Sequence, residues 1–566
     1  MTVKEVTPVT GSPHHTGFSL VDEAWIPVLD TAGQRREVSL LGLFQQAGEL
    51  RMIACELPTQ TFAILRLALA ILHRTTGGPP GEAAWRALWQ NRQLPMGEIC
   101  DYLGEFRDRF DLLHPEHPFY QVADLRAGKG PFGLERLIAD VPNGQPYLTT
   151  RAGRGMEMIA PAEAARWLVH CQAYDPSGIK TGAAGDPRVS GGKVYPLGVA
   201  SVGALGGVHL EGDTLLETLL INLVPFAPGW QVADERDLPV WEREAHTAIE
   251  EAYATRGPFG LLSLYTWQSR RIRLFGDRTG ITGAMICYGD QLDWQDRHLL
   301  EPMSVWARSA TQEKKQKRTP IYTPRPHDHT RALWRGLQSL LPSAPPAGGS
   351  EPPQRLSPVV VQWLAHLAVT GQVEQNRRVR PRATSITYGS QSAVIDEVFS
   401  DALTMNVMLL DEQSPLRTTA VDAVADAERA VKQIRMLAAN LAIAAGSRDS
   451  GTGEADRAAE RAYALLDRAF RSWLAQLGPG SDPVGERASW QRLVRQAIVW
   501  LGGELVASAG PTAWVGRPGV TRTGETVHYS SSQAEAWFRR GLAAALPMAD
   551  ELQGELRPDQ RQEASA

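Results

Sequence analysis

The part of the chain after about residue 415 repeats apolar residues at helical spacing, and no other feature restricts the fold as strongly. Apolar residues there recur every three or four positions, which places them on one face of an α-helix. The four stripes are Val424, Ala427, Val431, Ile434, Ala438 and Leu441; Tyr463, Leu466, Phe470, Trp473 and Leu477; Trp490, Leu493, Ala497 and Leu501; and Phe538, Leu542 and Leu546. Because each such helix has one apolar face to bury, the sequence predicts a four-helix bundle at residues 416–566.

Local signals predict where these helices begin and end. Gly478 is typical of a helix C-terminus, and so is the pair Gly502-Gly503 after the third stripe. Ser532 and Glu535 have the spacing of a capping box, so we expect the fourth helix to begin there and to end at Pro547.

Residues 1–415 have a mixed pattern. Short β-like runs at 25–28, 272–274 and 284–287 alternate with helical segments at 61–74 and 162–169. We therefore predict an α+β protein in which a large irregular mixed domain precedes the bundle.

Composition and charge exclude several classes of protein. Apolar residues make up 43% of the 566 residues and charged residues 21%, as in ordinary globular chains rather than collagenous or disordered ones. The net charge of −5 gives no overall basic field, so any nucleic-acid binding must come from local patches. The four cysteines lie far apart, and we find neither a secretion signal nor a segment apolar enough to span a bilayer. These features predict a cytoplasmic protein that does not enter membranes.

Known catalytic motifs are missing from the sequence. A phosphate-binding P-loop would need Gly where Pro187 stands and Ser or Thr where Val194 stands. The two histidine clusters, His114/His117 and His327/His329, lack the spacing of a helical metal site, and we expect their side chains to bond backbone groups. The sequence therefore predicts a protein that is not an enzyme and has no bound metal or cofactor.

Two local basic patches remain as candidate nucleic-acid contacts. The first comprises Lys314, Lys315, Lys317, Arg318, Arg325, Arg331 and Arg335, and the second comprises Arg377, Arg378, Arg380 and Arg382. Either patch could neutralise several phosphates, although such runs are more often solvated surface. Directly after the second patch, two β-like arms flank Tyr-Gly-Ser-Gln at 388–391, which predicts a hairpin with a polar tip beside an arginine strip.

Two segments and the bundle together carry a family resemblance. These segments are Leu-Val-Asp-Glu-Ala-Trp-Ile-Pro-Val at 20–28 and Leu-His-Pro-Glu-His-Pro-Phe at 113–119. With the C-terminal bundle they resemble the CasA family, the large subunit of the type I-E CRISPR surveillance complex Cascade, over nearly the whole chain.

The resemblance implies a subunit that recognises a protospacer-adjacent motif (PAM) in double-stranded DNA from the minor groove. It also implies that the subunit starts duplex unwinding for R-loop formation in antiviral defence. The implied partners are the guide RNA, the other Cascade subunits and a recruited helicase-nuclease.

The resemblance further assigns residues to three elements. The wedge that splits the duplex corresponds to Ser390 and Gln391, and the basic patch beside it adds Arg377 and Arg378 as candidate DNA contacts. The surface loop that approaches the minor groove, here called the glycine loop, corresponds to residues 177–182 with Gly178, Ile179, Lys180 and Thr181. The loop near the guide RNA corresponds to Tyr147, Leu148 and Thr149, with Arg151 and Arg154 behind it.

One family element is absent. The lysine that relatives place in the minor groove would fall at Gly289-Asp290-Gln291, where this chain has no Lys, so Lys180 or a nearby Arg would have to replace it. Two alternatives stay open at this stage. They are a metal-dependent nuclease that uses the histidine clusters and a helical scaffold that binds only protein.

Overall fold

The structure is a computed structural model that describes residues 17–128, 130, 132–141, 151, 157–227, 229–231, 234–342, 352–447, 451–520 and 525–549. Its helices are α1 (Leu40–Gln45), α2 (Pro58–Thr75), α3 (Glu82–Asn91), α4 (Met96–Glu105), α5 (Pro161–Tyr174), α6 (Leu215–Ile221), α7 (Tyr253–Arg256), α8 (Leu261–Tyr265), α9 (Ala310–Gln316), α10 (Leu337–Leu340), α11 (Val359–Val369), α12 (Pro415–Ala445), α13 (Thr452–Gln476), α14 (Pro483–Ala507), α15 (Gly510–Val515) and α16 (Ser531–Ala545). Its strands are β1 (Ile26–Asp30), β2 (Arg35–Val38), β3 (Leu50–Ile53), β4 (Lys180–Thr181), β5 (Lys193–Val194), β6 (Gly207–Glu211), β7 (Arg270–Asp277), β8 (Gly280–Tyr288), β9 (Trp306–Arg308), β10 (Tyr322–Pro324), β11 (Arg355–Leu356), β12 (Arg378–Tyr388), β13 (Ile395–Ala402), β14 (Met405–Asn406), β15 (Arg517–Val520) and β16 (Thr526–Tyr529).

The predicted α+β class is confirmed, and small antiparallel sheets are distributed through the N-terminal region. Strand β12 is the longest, and it pairs with β13, β14 and β6. Strands β7 and β8 form a second long antiparallel pair. In the described part of the chain, no helix has both the length and the apolar character needed to cross a bilayer.

Helices α2 and α5 are buried and pack against strands of these sheets. Helix α2 is buried along most of its length and packs against α5 and β12. A helix that is apolar on all sides has to lie in the interior, which explains why residues 62–72 are almost uniformly buried.

The four predicted bundle helices are present as α12, α13, α14 and α16. The first stripe is buried as predicted, and so are Phe470, Trp473, Phe538 and Leu542. The third stripe is confirmed at Trp490 and Leu501, which are buried. It is wrong at its centre, where Val494 and Ile498 are buried while Leu493 is 42% exposed.

Two helix boundaries also differ from the prediction. Helix α14 continues through Gly502 to Ala507, since this glycine serves close packing: a Cβ there would lie 2.6 Å from the Phe538 ring. Helix α16 begins two residues early because the hydroxyl of Ser530, rather than that of Ser532, accepts a hydrogen bond from the Gln533 amide, at 3.3 Å. Helix α15 and the β15–β16 hairpin lie between α14 and α16, where the sequence predicted no element.

The bundle packs directly against the mixed region. The Trp334 ring stacks on Phe470 with 4.6 Å between centroids, and Arg471 pairs with Asp401 of β13 at 2.8 Å. A single buried apolar cluster contains residues from both sides of position 415. The division into domains 1–415 and 416–566 therefore stays a prediction, although α12 begins at that point.

Candidate nucleic-acid interface

The predicted hairpin exists and ends in a constrained polar tip. Strands β12 and β13 pair from Arg382–Ala402 to Tyr388–Ile395, and the backbone amide of Gly389 donates to the carbonyl of Val394 at 3.0 Å. We call this element the Gln391 hairpin (residues 378–402). Gln391 is exposed at its tip and has a φ of 55°. A left-handed conformation costs a residue with a Cβ about 1–2 kcal/mol, so the surrounding turn holds Gln391 in an unusual orientation.

The arm before the tip is attached to helix α5. The Tyr388 hydroxyl donates to the Tyr174 carbonyl at 2.8 Å. Burial is the main cause that raises the pKa of Tyr388 well above its usual value, so this hydroxyl stays protonated as a donor. The β12 arm of the Gln391 hairpin is therefore fixed at Tyr388, three residues before the exposed Gln391.

Backbone carbonyls in the glycine loop and directly before it hold the loop in place. The Arg270 guanidinium donates to the carbonyls of Asp175 and Pro176, at 3.1 and 3.2 Å. The Tyr288 hydroxyl donates to the carbonyl of Gly178 at 2.7 Å. With a φ of +113°, Gly178 adopts a backbone conformation that side chains disfavour, which explains a glycine at this position.

The fold brings the hairpin tip and the glycine loop together. A Cβ built on Gly178 would lie 3.5 Å from the Cβ of Ala393, in ordinary van der Waals contact. Both segments line one cavity of about 380 Å³, to which Gln391, Gly178 and Ile179 contribute. Two elements that lie far apart in the sequence thus form one surface.

Side chains in the glycine loop alternate between outside and inside. Ile179 is 50% exposed, whereas Lys180 is only 7% exposed and its ammonium lies 2.6 Å from the Asp175 carboxylate. The prediction that Lys180 could replace the missing minor-groove lysine is wrong for this conformation, because its charge faces inward and is paired. Gly182 is also buried, since a Cβ there would lie 2.6 Å from Val189, so this end of the loop is not surface.

Asp175 is the centre of a buried charge cluster. It accepts hydrogen bonds from Lys180 and from the Nε of Arg270. Burial alone would raise the pKa of this carboxyl, but the two cations outweigh burial and lower the pKa below its usual value. The cluster therefore stays charged and fixes the start of the glycine loop.

The arginine strip is mostly neutralised inside the protein. Arg377 pairs with Glu217 and Glu374, both at 3.0 Å. Arg380 and Arg382 both pair with Glu211. Only Arg378 of this strip is exposed without an ion-pair partner among the described residues, so the expected four-charge face is reduced to one free charge.

The first basic patch is divided in a similar way. Lys314, Lys315 and Lys317 are exposed at the end of α9. In contrast, Arg331 and Arg335 both approach the carboxylate of Glu428, at 2.7 and 3.8 Å. The three lysines are therefore the larger free positive surface of this patch.

The remaining predicted positions lie outside the cavity or outside the described residues. Tyr147, Leu148, Thr149 and Arg154 belong to the residues that the structure does not describe. Arg151 is described, and it pairs with Asp140 and Glu163 at 3.2 and 2.7 Å.

Asp290, in the segment where the resemblance places a minor-groove lysine, lies in the protein interior. Asp290 is 3% exposed and accepts hydrogen bonds from Arg271 at 2.6 Å and Arg256 at 3.0 Å. A backbone segment anchored by two buried arginines cannot extend into a DNA groove without breaking both ion pairs.

Neither histidine cluster forms a group of metal ligands within the described residues. The Nδ1 of His114 accepts from the backbone amide of His117 at 2.9 Å, and the Nε2 of His327 lies 2.9 Å from the carbonyl of Arg331. In the described residues, one group of three potential ligands has suitable spacing, namely His246, Glu251 and Asp290. The Asp290 oxygens already face two arginines, so this group is an ion-pair network.

Sequence reasoning missed the side chains that hold the two elements in place. Arg270, Tyr288 and Asp175 carried no motif, and Tyr388 was noted only as part of the predicted hairpin. Their role depends on partners from distant segments, so the sequence contained no signal that could have identified them.

Comparison with known proteins places this architecture in context. The family model described as CRISPR-associated protein Cse1 matches residues 19–501. A curated Thermus thermophilus protein described as CasA/Cse1 is 31% identical over 332 residues, which cover 57% of this chain. The chain spans 60% of that relative's length.

Solved structures show the same fold. The crystal structure of Thermobifida fusca Cse1 has 44% sequence identity and a TM-score of 0.86, and the match covers 94% of this chain and 99% of that one. A chain from a structure titled CRISPR RNA-guided surveillance complex is 18% identical with a TM-score of 0.59, and the match covers 87% of this chain and 99% of that one. At that identity the second likeness concerns the fold alone.

Proposed function

The chain belongs to the Cse1 family of CRISPR-associated proteins, and on this premise we propose that it is the large subunit of an RNA-guided DNA surveillance complex. In this role it recognises a PAM in double-stranded DNA from the minor groove and begins to separate the strands. The observation that carries the proposal is the shared cavity where the Gln391 tip meets the glycine loop.

The two elements have complementary chemical properties. The glycine loop presents backbone at Gly178 without a Cβ, which allows close approach to base edges in a narrow groove. Minor-groove recognition is degenerate, so we expect several related motifs to be accepted. The rigid attachment through Arg270 and Tyr288 keeps the loop in one conformation, which lowers the entropic cost of binding.

Gln391 is suited to interrupt base stacking beside the motif. Its amide carries both donors and acceptors for exposed base edges, and it has no charge to desolvate. Unstacking one base step costs a few kcal/mol, which phosphate contacts elsewhere on the protein offset. Exposed cations without an ion-pair partner among the described residues include Arg378 and the three lysines of α9 and its C-terminus.

The other partners follow from the same role. Guide-RNA pairing supplies most of the sequence specificity in such complexes, and the protein has only to read a short motif and start an exchange that is nearly neutral in free energy. We propose that the segment with Tyr147, Leu148 and Thr149 lies near the guide RNA. We further propose that the other Cascade subunits and the helicase-nuclease bind elsewhere on this chain, which has no catalytic role of its own.

A comparison of Gln391→Ala on two DNA substrates tests the proposal. The complex is assembled with wild-type or variant subunit, and R-loop formation is measured on an intact duplex and on one mismatched beside the motif. We expect at least a tenfold loss on the intact duplex and a change within twofold on the mismatched one, because the mismatch has already removed the unstacking cost.

Gln375→Ala is a matched control, since Gln375 is exposed but lies outside the Gln391 hairpin. It should behave as wild type on both substrates. An equal loss on both substrates would make Gln391 a contact residue and not a wedge. No loss on either substrate would contradict the assignment of this tip.

A further inference from the structure

A second cavity is lined by Ala383 and Thr384 of β12, away from the tip of the Gln391 hairpin. Its volume is about 130 Å³. The walls include Gly206, Gly207, the loop around Arg325, and Thr384 in the middle of β12. Thr384 belongs to the Gln391 hairpin, but the two cavities share no lining residue.

The cavity has an excess of positive charge. Three arginines line it, namely Arg325, Arg331 and Arg355, against the single carboxylate of Asp328. The oxygen Oδ1 of Asp328 already accepts from the amide and hydroxyl of Thr330, at 3.0 and 2.7 Å. These hydrogen bonds leave the carboxylate charged, but the three guanidinium groups outnumber it.

The three arginines retain free donors. Arg325 is exposed, and its side chain forms no ion pair with a described residue. Arg355 donates one N–H to the Ser339 hydroxyl at 2.7 Å, which orients the group without neutralising it. Arg331 pairs with Glu428, but its Nε is buried without a partner among the described residues.

A buried hydroxyl is the second observation that points to a ligand. Thr384 is 1% exposed, and its Oγ1 has no hydrogen-bond partner among the described residues. A buried polar group without a partner is costly, and native structures usually supply a ligand or an ordered water. Thr384 lines the same cavity as the arginines, so one anion could satisfy both.

Glycine at position 206 lets the cavity wall pack closely against Pro326. Gly206 has a φ of +66°, and a Cβ there would lie 2.6 Å from the Cα of Pro326. At Gly336 a Cβ would lie 3.6 Å from the His327 ring. Arg325 and Arg355 in its wall are exposed, so an anion can reach the cavity from the surface.

We propose that this cavity binds a single phosphate group. Arginine is the side chain best suited to phosphate, because its planar fork donates two parallel hydrogen bonds and is always charged. The phosphate belongs either to a nucleic-acid backbone or to a free anion, and the chemistry of recognition is the same. The proposal does not depend on the function assigned to the Gln391 tip.

Calorimetric titration of the full-length chain with potassium phosphate tests this site, with ionic strength held constant by potassium chloride. We expect wild type to bind and the double variant Arg325→Gln/Arg355→Gln to bind at least tenfold more weakly. Thr384→Val should weaken binding severalfold, whereas Thr384→Ser keeps the hydroxyl and should retain it. Circular dichroism and the melting temperature establish that each variant folds.

The double variant Arg35→Gln/Arg36→Gln is the matched control, because these exposed arginines of β2 lie outside the cavity. It should bind phosphate as wild type does. A wild type that fails to bind phosphate, or cavity variants that bind it unchanged, would overturn the proposal.

A competition experiment identifies the source of the phosphate. If a single-stranded oligothymidylate displaces phosphate and its own affinity falls in the cavity variants, the site accepts a backbone phosphate. If the oligonucleotide leaves phosphate binding unchanged, the site accepts a free anion. Both outcomes support a phosphate site, because each requires that phosphate binding depend on Arg325, Arg355 and Thr384.

Discussion

Replacing Asp175 with Asn should destabilise the protein and disorganise the glycine loop at the same time. Asp175 is 5% exposed and accepts from Lys180 at 2.6 Å and from Arg270. The Asn variant keeps the size of the side chain but leaves two buried cations without their shared anion. Breaking a buried ion pair by removing one partner typically costs about 3–5 kcal/mol.

This cost converts into a measurable change in melting temperature. Unfolding entropy is about 2.1 cal/mol/K per residue near 60 °C, so a chain of 566 residues that unfolds as one unit has about 1.2 kcal/mol/K. We therefore expect Asp175→Asn to lower the melting temperature by about 3–4 °C in differential scanning calorimetry. Asp456→Asn is the matched control, because Asp456 forms one half-exposed pair with Arg435 and should shift the midpoint by less than about 1 °C.

The pH dependence provides a second test of the same reasoning. The pKa of Asp175 is lowered in the folded protein, so its stabilising contribution is present above the ordinary carboxyl pKa of about 3.9 and is lost as pH falls towards the folded value. The difference between wild type and Asp175→Asn should therefore stay constant from pH 7 to about pH 5 and shrink as the pH falls below about 4. Equal shifts for Asp175→Asn and Asp456→Asn would refute the argument, as would a difference that does not change with pH.

Three further predictions follow from the same structure. Arg378→Gln should lower the slope of log affinity against log salt for duplex DNA by about 0.9 with little change in melting temperature. Arg382→Gln should lower the melting temperature, because the buried Glu211 loses its shorter arginine partner and keeps only the longer pair with Arg380. An equal effect of both variants on the salt slope would contradict the ion-pair assignment. Burial lowers the pKa of His73 to about 3, so wild type loses stability relative to His73→Leu as the pH falls below 6.5. The loss in the free energy of unfolding should be about 1 kcal/mol between pH 6 and pH 5. Melting temperatures that change in parallel with pH for the two proteins would disprove this. Gly178→Val should abolish discrimination between duplexes with and without the motif. Gly185→Val should retain it, because Gly185 also has a positive φ but a Cβ there would meet no neighbouring atom. Loss of discrimination in both variants would point to backbone strain alone.

Much of the secondary structure could be predicted because its causes are local. The stripe from Val424 to Leu441 identified helix α12, and the Tyr-Gly-Ser-Gln sequence identified the turn of the Gln391 hairpin. The errors occurred where a distant contact changed the meaning of a residue. Gly502 looked like a helix end, but it is a close-packing position against Phe538.

The candidate site could be predicted only in part. The sequence identified Gln391 and Gly178 as separate elements through a family resemblance, but it contained no indication that Gly178 lies against Ala393. The side chains that position these elements, Arg270 and Tyr288, bond backbone carbonyls, and backbone acceptors are present at every residue. No residue pattern distinguishes the carbonyl that is used from those that are not.

The sequence alone determined the helix periodicity, the hairpin turn and the family, because these depend on residues that are near neighbours or stand in a recognisable order. The tertiary structure alone decided which charges remain available to a ligand. Arg378 and Arg382 are equivalent in the sequence, yet Arg382 is neutralised by Glu211 from another strand, while Arg378 has no such partner among the described residues. Coulombic pairing acts over a few ångströms in space, so the free charge on a surface depends on how the folded chain brings acids and bases together.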